Sequence, residues 1–237
     1  MFRKIAAIVV CMALLSGPSL GVAQSSNSFD DVKPDLSDLA YLSVTIPLSV
    51  FLNRTQPREG ATFEPTRFDI WARNGLVWDN VGAARIASDV LLVALGGSAT
   101  VAPMVTEWSL RERELMASVV GVEAISSAVL VTAVFKHLIG RQRPENLFAQ
   151  GDDGYDSFFS GHSTTAFASA TMLTVFAYEY EWLDDDIRWV VPVSAYATAG
   201  LTAYLRVAGD KHWITDVLLG GLIGTGVSYL VYSLRTD

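Results

Sequence analysis

Residues 206–216 of this 237-residue chain read RVAGDKHWITD, and this stretch decides how the fold is interpreted. Arg206 ends one apolar segment, and Asp216 follows His212 by four residues, so a helix would place both on one face. A carboxylate in that position can accept the Nδ1 proton of the imidazole and leave Nε2 outward as a nucleophile. The alternative is a His-Asp pair that only caps a helix or forms a surface ion pair.

The sequence Ser160-Gly161-His162 precedes another apolar segment, and we expect a helix to start near Ser163. Backbone N–H groups at a helix start, beside a glycine that allows close approach, form a cradle for an anion. The Ser160 hydroxyl can add a donor, and a protonated His162 at the rim could give its proton to a departing alkoxide. The alternative is a Ser160 that only caps the helix, with His162 as an ordinary first-turn residue.

A third stretch carries Lys136, then Arg143 and Pro144, at the end of a long apolar segment. Lysine supplies a point charge and arginine a planar fork, and together they can hold several phosphate oxygens. Read alone, this stretch is more often a solvated basic helix end. Together with the stretches at 160–162 and 206–216, it gives three cations, two imidazoles and one carboxylate, a set that suits a dianionic phosphoryl group. His137, the remaining histidine, is expected either to be structural or to support the site residues from behind.

The three stretches in this order and spacing resemble the type 2 phosphatidic acid phosphatase superfamily over roughly residues 80–235. That superfamily includes lipid phosphate phosphatases, bacterial non-specific acid phosphatases and vanadium haloperoxidases. The resemblance implies that His212 is a nucleophile forming a phosphohistidine, that Asp216 orients it and that His162 is the general acid. It further implies phosphate binding without a metal ion or cofactor by Lys136, Arg143, Ser160, Gly161 and Arg206.

Two residues depart from the pattern of that superfamily. Phe159 stands where the family usually has proline, and Leu205 stands where it usually has serine. Neither change removes a group that touches the reacting phosphorus, so we expect the chemistry to survive. We expect Phe159 to shape the mouth of the pocket and Leu205 to cost a hydrogen bond.

Apolar segments of helical length recur along the chain without a period-two alternation, which predicts an all-α six-helix bundle. The predicted helices are residues 39–52, 81–104, 112–138, 163–182, 187–205 and 213–234. Residues 53–80 are predicted to form a long ordered loop or short helical turns. The expected organisation is a signal peptide at 1–23, a lead-in, first helix and loop at 24–79, and a catalytic helical core at 80–237.

The N-terminus has the layout of a secretory signal peptide, with Arg3 and Lys4 ahead of an apolar run and small residues before a cut at Gln24. The alternative is an uncleaved membrane anchor. Cys11, the only cysteine, lies inside this segment, so the mature chain would have no disulfide or cysteine nucleophile. Without Arg3 and Lys4, the chain has 15 basic and 25 acidic residues, and this excess of negative charge argues against nucleic-acid binding.

The sequence leaves open whether the helices cross a membrane. The best apolar windows are at the lower edge of spanning length, and Asp89 and Glu123 interrupt two of them. The acidic turn at 179–186 would face the cytoplasm if the motifs faced the exported side, which the positive-inside tendency disfavours. We therefore expect an exported protein of the periplasm or cell envelope, either a soluble or membrane-apposed bundle or an integral membrane bundle.

The leading functional hypothesis is a metal-independent hydrolase of phosphate monoesters or pyrophosphates. Apolar helices, and aromatic residues near the motifs at Phe148, Tyr155, Phe158 and Phe159, favour a lipid-linked phosphate as substrate. The first alternative is a periplasmic acid phosphatase acting on soluble organic phosphates. A vanadate-dependent haloperoxidase and a non-catalytic envelope protein remain as further alternatives.

Overall fold

The computed structural model of the protein describes residues 35–57, 63–106, 111–148 and 154–236. These ranges contain helices and no strands, which confirms the predicted all-α class. The predicted signal peptide and the lead-in up to residue 34 lie outside the described residues. The helices are α1 (Leu36–Arg54), α2 (Arg67–Leu76), α3 (Val81–Thr106), α4 (Glu112–Ile139), α5 (Pro144–Phe148), α6 (Gly161–Glu179), α7 (Val190–Ala208) and α8 (Ile214–Thr236).

The number of helices corrects the prediction of a six-helix bundle. Within the described ranges, seven helices have ten or more residues, and α5 adds a single short turn. The additional long helix is α2, which lies in the stretch predicted to be a loop or short turns. Its start is encoded locally, because Thr66 and Asp69 cap each other's backbone N–H groups in a capping box. The six predicted helices are all present.

Helix α6 is the centre of the bundle and packs against α3, α4, α7 and α8. Helix α1 packs on the outside of α4, and α2 lies against α7 and α8. The main core is built from small and medium side chains of four helices, among them Ala99, Met116, Val120, Ala170, Phe176 and Ala199. Small side chains allow the helix axes to approach closely, so the polar ends of these helices are also brought together.

The contact between α6 and α8 depends on glycine. A Cβ atom placed on Gly224 would lie 2.2 Å from the carbonyl oxygen of Thr164, and one on Gly220 would lie 2.8 Å from that of Ser160. Both obstacles are backbone atoms, which cannot move aside without shifting α6. The approach of α8 to the start of α6 therefore requires these positions to lack a side chain.

Four segments are long and apolar enough to cross a membrane: Leu36–Arg54, Val81–Val105, Glu112–Leu147 and Ile214–Thr236. Three of them bury less than a third of their residues in the protein, whereas Glu112–Leu147 buries 72%. The outward faces of α3 and α8 carry exposed apolar side chains, including Val90, Val93, Leu222 and Leu230. Exposed apolar surface of this extent is unusual for a soluble monomer and supports a membrane protein.

The three motifs meet at one end of the bundle. Lys136 lies in the last turn of α4, Ser160 precedes α6, Arg206 lies in the last turn of α7 and Asp216 in the first turn of α8. Helices α4 and α7 end where α6 and α8 begin, so antiparallel packing alone collects these residues. The fold thus places these four residues of the predicted site at adjoining helix ends.

We predict that Gly224→Ala destabilises the protein by about 1–3 kcal/mol, because the new methyl group overpacks the α6–α8 contact. Gly226→Ala is the matched control, since a Cβ there meets nothing within 4 Å. That change should be neutral or slightly stabilising through helix propensity. Thermal unfolding of both variants in the same buffer or detergent measures the difference, and equal midpoints would contradict the prediction.

Candidate active site

His212 lies in the short connection between α7 and α8 and is buried. Its Nδ1–H donates to the carbonyl oxygen of Ser157 at 2.8 Å, which leaves Nε2 with a free lone pair. Burial lowers the pKa of His212 well below its usual value, and the nearby charges of Arg143, Arg206 and Lys136 lower it further. The neutral ring with an available Nε2 is the form that can act as a nucleophile.

Asp216 does not hold His212 directly. Its Oδ2 lies 3.9 Å from Nδ1 of His212, beyond hydrogen-bond distance. The same oxygen accepts hydrogen bonds from the Ser157 hydroxyl at 2.5 Å and from the Trp213 N–H at 3.0 Å. The four-residue spacing predicts that Asp216 accepts the hydrogen bond from Nδ1–H, but in the structure the carbonyl of Ser157 accepts it. Asp216 is linked to His212 only indirectly, because it hydrogen-bonds Ser157 and Ser157 hydrogen-bonds His212.

Arg141 is a buried component of the site that the sequence analysis missed. Its guanidinium donates to Asp216 on one side and to Oδ2 of Asp69, at 2.8 Å, on the other. It also donates to the Thr215 hydroxyl at 2.8 Å and the Phe63 carbonyl at 3.2 Å. Burial raises the pKa of Asp69, but hydrogen bonds from Thr215, Thr66 and Arg141 lower it to a net value below the usual one.

The start of α6 is the stretch predicted to form an anion cradle. Ser160 is the N-cap of α6, and its hydroxyl oxygen accepts the Ser163 N–H at 3.4 Å. A Cβ placed on Gly161 would lie 3.7 Å from Nζ of Lys136, so the lysine ammonium sits beside the first turn. Lys136 is almost completely buried, and a buried ammonium needs an anionic partner. The structure thus brings Lys136, Ser160 and Gly161 together as predicted.

Arg206 and Arg143 flank this cradle, and each already has protein partners. Arg206 Nη1 donates to the Ser88 hydroxyl at 3.0 Å, while its buried Nε has no hydrogen-bond partner within the described ranges. Arg143 donates through Nε and Nη2 to the two oxygens of Asp156, at 2.5 and 2.6 Å. The guanidinium groups are thereby fixed in direction, and each keeps donors that a phosphate could use.

His162 has an acidic partner that was not expected. Its Nε2 lies 2.6 Å from Oδ1 of Asp89, and the same oxygen is 3.5 Å from Nη1 of Arg206. The sequence analysis treated Asp89 only as a charge that interrupts an apolar segment. Asp89 follows Arg85 and Ser88 on α3, and this polar cluster within an apolar helix was the signal that could have identified it.

The connection that carries His212 is held by ion pairs on both sides. Asp210 accepts two hydrogen bonds from Arg73, both at 2.7 Å, and Lys211 donates to Glu145 at 2.5 Å. Arg85 also donates to Glu145 at 2.7 Å.

An open cavity of about 310 Å³ adjoins Arg143 and is lined by Gln56, Arg143, Glu145, Asn146, Gly154, Asp156 and Lys211. No cluster of three His, Cys, Asp or Glu side chains suited to a metal ion occurs in the described part of the chain.

The two departures from the family pattern are both accommodated by packing. Phe159 is buried, with its ring 5.1 Å from that of Phe135 and 4.2 Å from that of Phe158, so it does not form the mouth of the pocket as expected. Leu205 is buried in an apolar cluster with Ala84 and Ala208. His137, which was expected to be structural, lies 2.8 Å from the Thr55 hydroxyl at the end of α1.

Parts of the chain are similar in sequence to known proteins. Over 97 residues the chain is 36% identical to Lipid A 1-phosphatase of Porphyromonas gingivalis, covering 41% of this chain and 19% of that protein. Over 141 residues it is 30% identical to Phospholipid phosphatase 1 of Rattus norvegicus, covering 47% of this chain and 49% of that protein. The chain therefore spans about a fifth and about half of the lengths of these two relatives.

A solved structure has the same fold. It is the crystal structure described as the first transmembrane PAP2 type phosphatidylglycerolphosphate phosphatase from Bacillus subtilis, with a TM-score of 0.50 and 19% sequence identity. The superposition covers 98% of this chain and 96% of that one. The PAP2 superfamily model matches residues 117–237, just over half of the chain, and this segment holds all three motifs. The resemblance seen in the motifs is confirmed, and the chain belongs to the PAP2 superfamily.

Proposed function

We propose that the protein is a metal-independent phosphatase of the cell envelope that hydrolyses lipid-linked phosphate monoesters or pyrophosphates through a phosphohistidine. The observation that carries the proposal is the state of His212. Its Nδ1–H is committed to the Ser157 carbonyl, so Nε2 is the free nitrogen, and it lies among the cations Lys136, Arg143 and Arg206. A neutral nucleophile surrounded by fixed positive charges suits attack on a phosphate dianion.

In the first step, the Nε2 lone pair of His212 attacks phosphorus and the bond to the leaving oxygen breaks. The leaving oxygen takes that electron pair and a proton from His162. Lys136, Arg143 and Arg206, with the N–H groups at the start of α6, stabilise the charge on the other phosphate oxygens. In the second step, water gives a proton to His162 and attacks phosphorus, the P–N bond breaks, and inorganic phosphate leaves.

A lipid substrate is supported by the exterior of the bundle and by the relatives. Four apolar segments could place the protein in a membrane, and the two curated relatives are named for lipid A and phospholipid phosphatase activities. Phe68 and Trp71 stack at 5.7 Å on the exposed side of α2, at the end of the bundle that holds the motifs. Aromatic residues favour the membrane–water interface, so this end would lie at the level of lipid headgroups.

A soluble organic phosphate is the second candidate. The cavity beside Arg143 has charged and amide side chains and could take a polar group in place of an acyl chain. Phosphate release from lipid phosphates in mixed micelles and from soluble sugar and glycerol phosphates distinguishes the two. Higher kcat/KM on the soluble compounds would favour the second candidate.

The first prediction for this mechanism is that His212→Ala loses activity by on the order of 10³-fold or more, because no other group can form the covalent intermediate. The wild-type protein should carry label after acid-free quenching of a reaction with ³²P-labelled substrate, since phosphohistidine is acid-labile. His137→Ala is the control and should retain most activity. A His212→Ala variant with more than about a tenth of wild-type activity would contradict the covalent mechanism.

The second prediction concerns the leaving group. His162→Ala should slow an alkyl or lipid phosphate far more than a nitrophenyl phosphate, because only the alkoxide needs a proton to depart. Asp89→Asn should show the same selectivity to a smaller degree, since Asp89 contacts Nε2 of His162. Steady-state kinetics on both substrates measures the ratio. If both substrates slow equally, His162 is not the general acid.

The third prediction concerns metal ions and vanadate. Because Lys136, Arg143 and Arg206 supply the positive charge at the phosphate site, activity should persist in excess EDTA. Vanadate should inhibit, because it adopts the five-coordinate geometry of the transition state. Loss of activity in EDTA that is restored by Mg²⁺ or Zn²⁺ would show that the cations of the chain are not sufficient.

A further inference from the structure

We infer that Asp69 and Arg141 are positioning residues that keep the His212 nucleophile aligned, through Asp216 and Ser157. This inference rests on the proposed role of His212 and extends it to a helix outside the family-matched segment 117–237. Asp69 lies on α2, about 50 residues before that segment begins. Neither residue would touch the substrate.

The contacts form one continuous path. Asp69 accepts from Arg141, Arg141 donates to Asp216, and Asp216 accepts the Ser157 hydroxyl. The backbone of Ser157 is held as well, because its N–H donates to the Arg141 carbonyl at 3.0 Å. The carbonyl of the same residue accepts Nδ1–H of His212 at 2.8 Å. Three separate hydrogen bonds therefore fix Ser157, one each through its hydroxyl, its N–H and its carbonyl.

Burial makes this path sensitive to any single loss. The side chains of Arg141, Asp69 and Asp216 are each at most 1% exposed. The Arg141 guanidinium is paired with two carboxylates, Asp69 and Asp216. Removing the charge of one carboxylate therefore changes the electrostatic compensation of the other. The Cζ atom of Arg141 also lies over the rings of Phe63 and Trp213, at 5.9 and 5.7 Å from their centroids, and these contacts add to its packing.

We expect the loss of the Asp69 charge to disturb the alignment of His212 and to leave phosphate binding unchanged. If Asp69 loses its charge, Arg141 loses one fixed acceptor, and its bond to Asp216 is no longer held in direction. Ser157 then shifts, and the carbonyl that selects the Nδ1–H tautomer of His212 moves with it. The phosphate-binding groups Lys136, Arg143 and Arg206 are not part of this path, so affinity for phosphate should be kept.

The test compares Asp69→Asn with Asp38→Asn. Asp38 is also a buried carboxylate that is paired with an arginine, Arg235, but it lies at the opposite end of the bundle. Both variants should lose some thermal stability. Asp69→Asn should lower kcat by roughly 10–100-fold, the range seen when groups that orient a site residue are removed, with KM and inhibition by inorganic phosphate unchanged. Asp38→Asn should leave kcat unchanged.

A second readout does not depend on activity. The chain has three histidines, so ¹⁵N-histidine labelling gives three ring systems that His137→Gln and His162→Gln variants can assign. The wild-type His212 ring should show the tautomer protonated at Nδ1, and Asp69→Asn and Arg141→Lys should show a mixture. Ser157→Ala, which keeps the carbonyl and loses the hydroxyl, gives the same readout if an Asp69 or Arg141 variant does not fold.

The outcomes separate this inference from the proposed function. An inactive wild-type protein would overturn the phosphatase proposal. An active wild-type protein whose Asp69→Asn variant keeps both its kcat and its His212 tautomer would overturn the positioning role alone. Equal kcat losses in Asp69→Asn and Asp38→Asn would also overturn it, because the effect would then follow from stability.

Discussion

The interaction on which the functional end of this protein depends is the buried Arg141 guanidinium between Asp69 and Asp216. It joins α2, the segment after α4 and the first turn of α8. Removing one partner of such a set leaves a buried charge without compensation, which typically costs about 3–5 kcal/mol. By our inference, this set keeps the groups around His212 in a fixed direction.

The helical core supplies the second constraint, which is proximity. Helix α8 can approach the start of α6 only because Gly220 and Gly224 lack side chains against the α6 backbone. The end of α7 and the start of α8 are thereby brought beside the N-cap at Ser160. The start of α6 then lies next to the buried Lys136 and to His212, the proposed nucleophile. Close helix packing and the proposed anion site thus have a common structural cause.

Electrostatics completes the arrangement, because Arg143 and Arg206 are paired with carboxylates before any substrate binds. Asp156 orients Arg143, and Asp89 lies against both His162 and Arg206. These carboxylates keep the guanidinium groups ordered and limit the repulsion between neighbouring cations. Asp89 is 60% exposed, unlike the Asp69 and Asp216 carboxylates, so its contact is open to exchange with solvent or with a bound phosphate.

The sequence by itself determined the helical class, because apolar segments of helical length recur without alternation, and it determined the three motifs with the family they identify. It did not separate α2 from a loop, since this helix has only ten residues and follows a stretch that contains Pro57, Gly60 and Pro65. Only the tertiary structure decided which side chains contact one another around the site. Asp89 and His162 are 73 residues apart, and Asp69 and Arg141 are 72 apart, with no spacing rule that connects them. The acceptor of His212 is a backbone carbonyl, which every residue possesses, so only the folded chain could show that Ser157 and not Asp216 provides it.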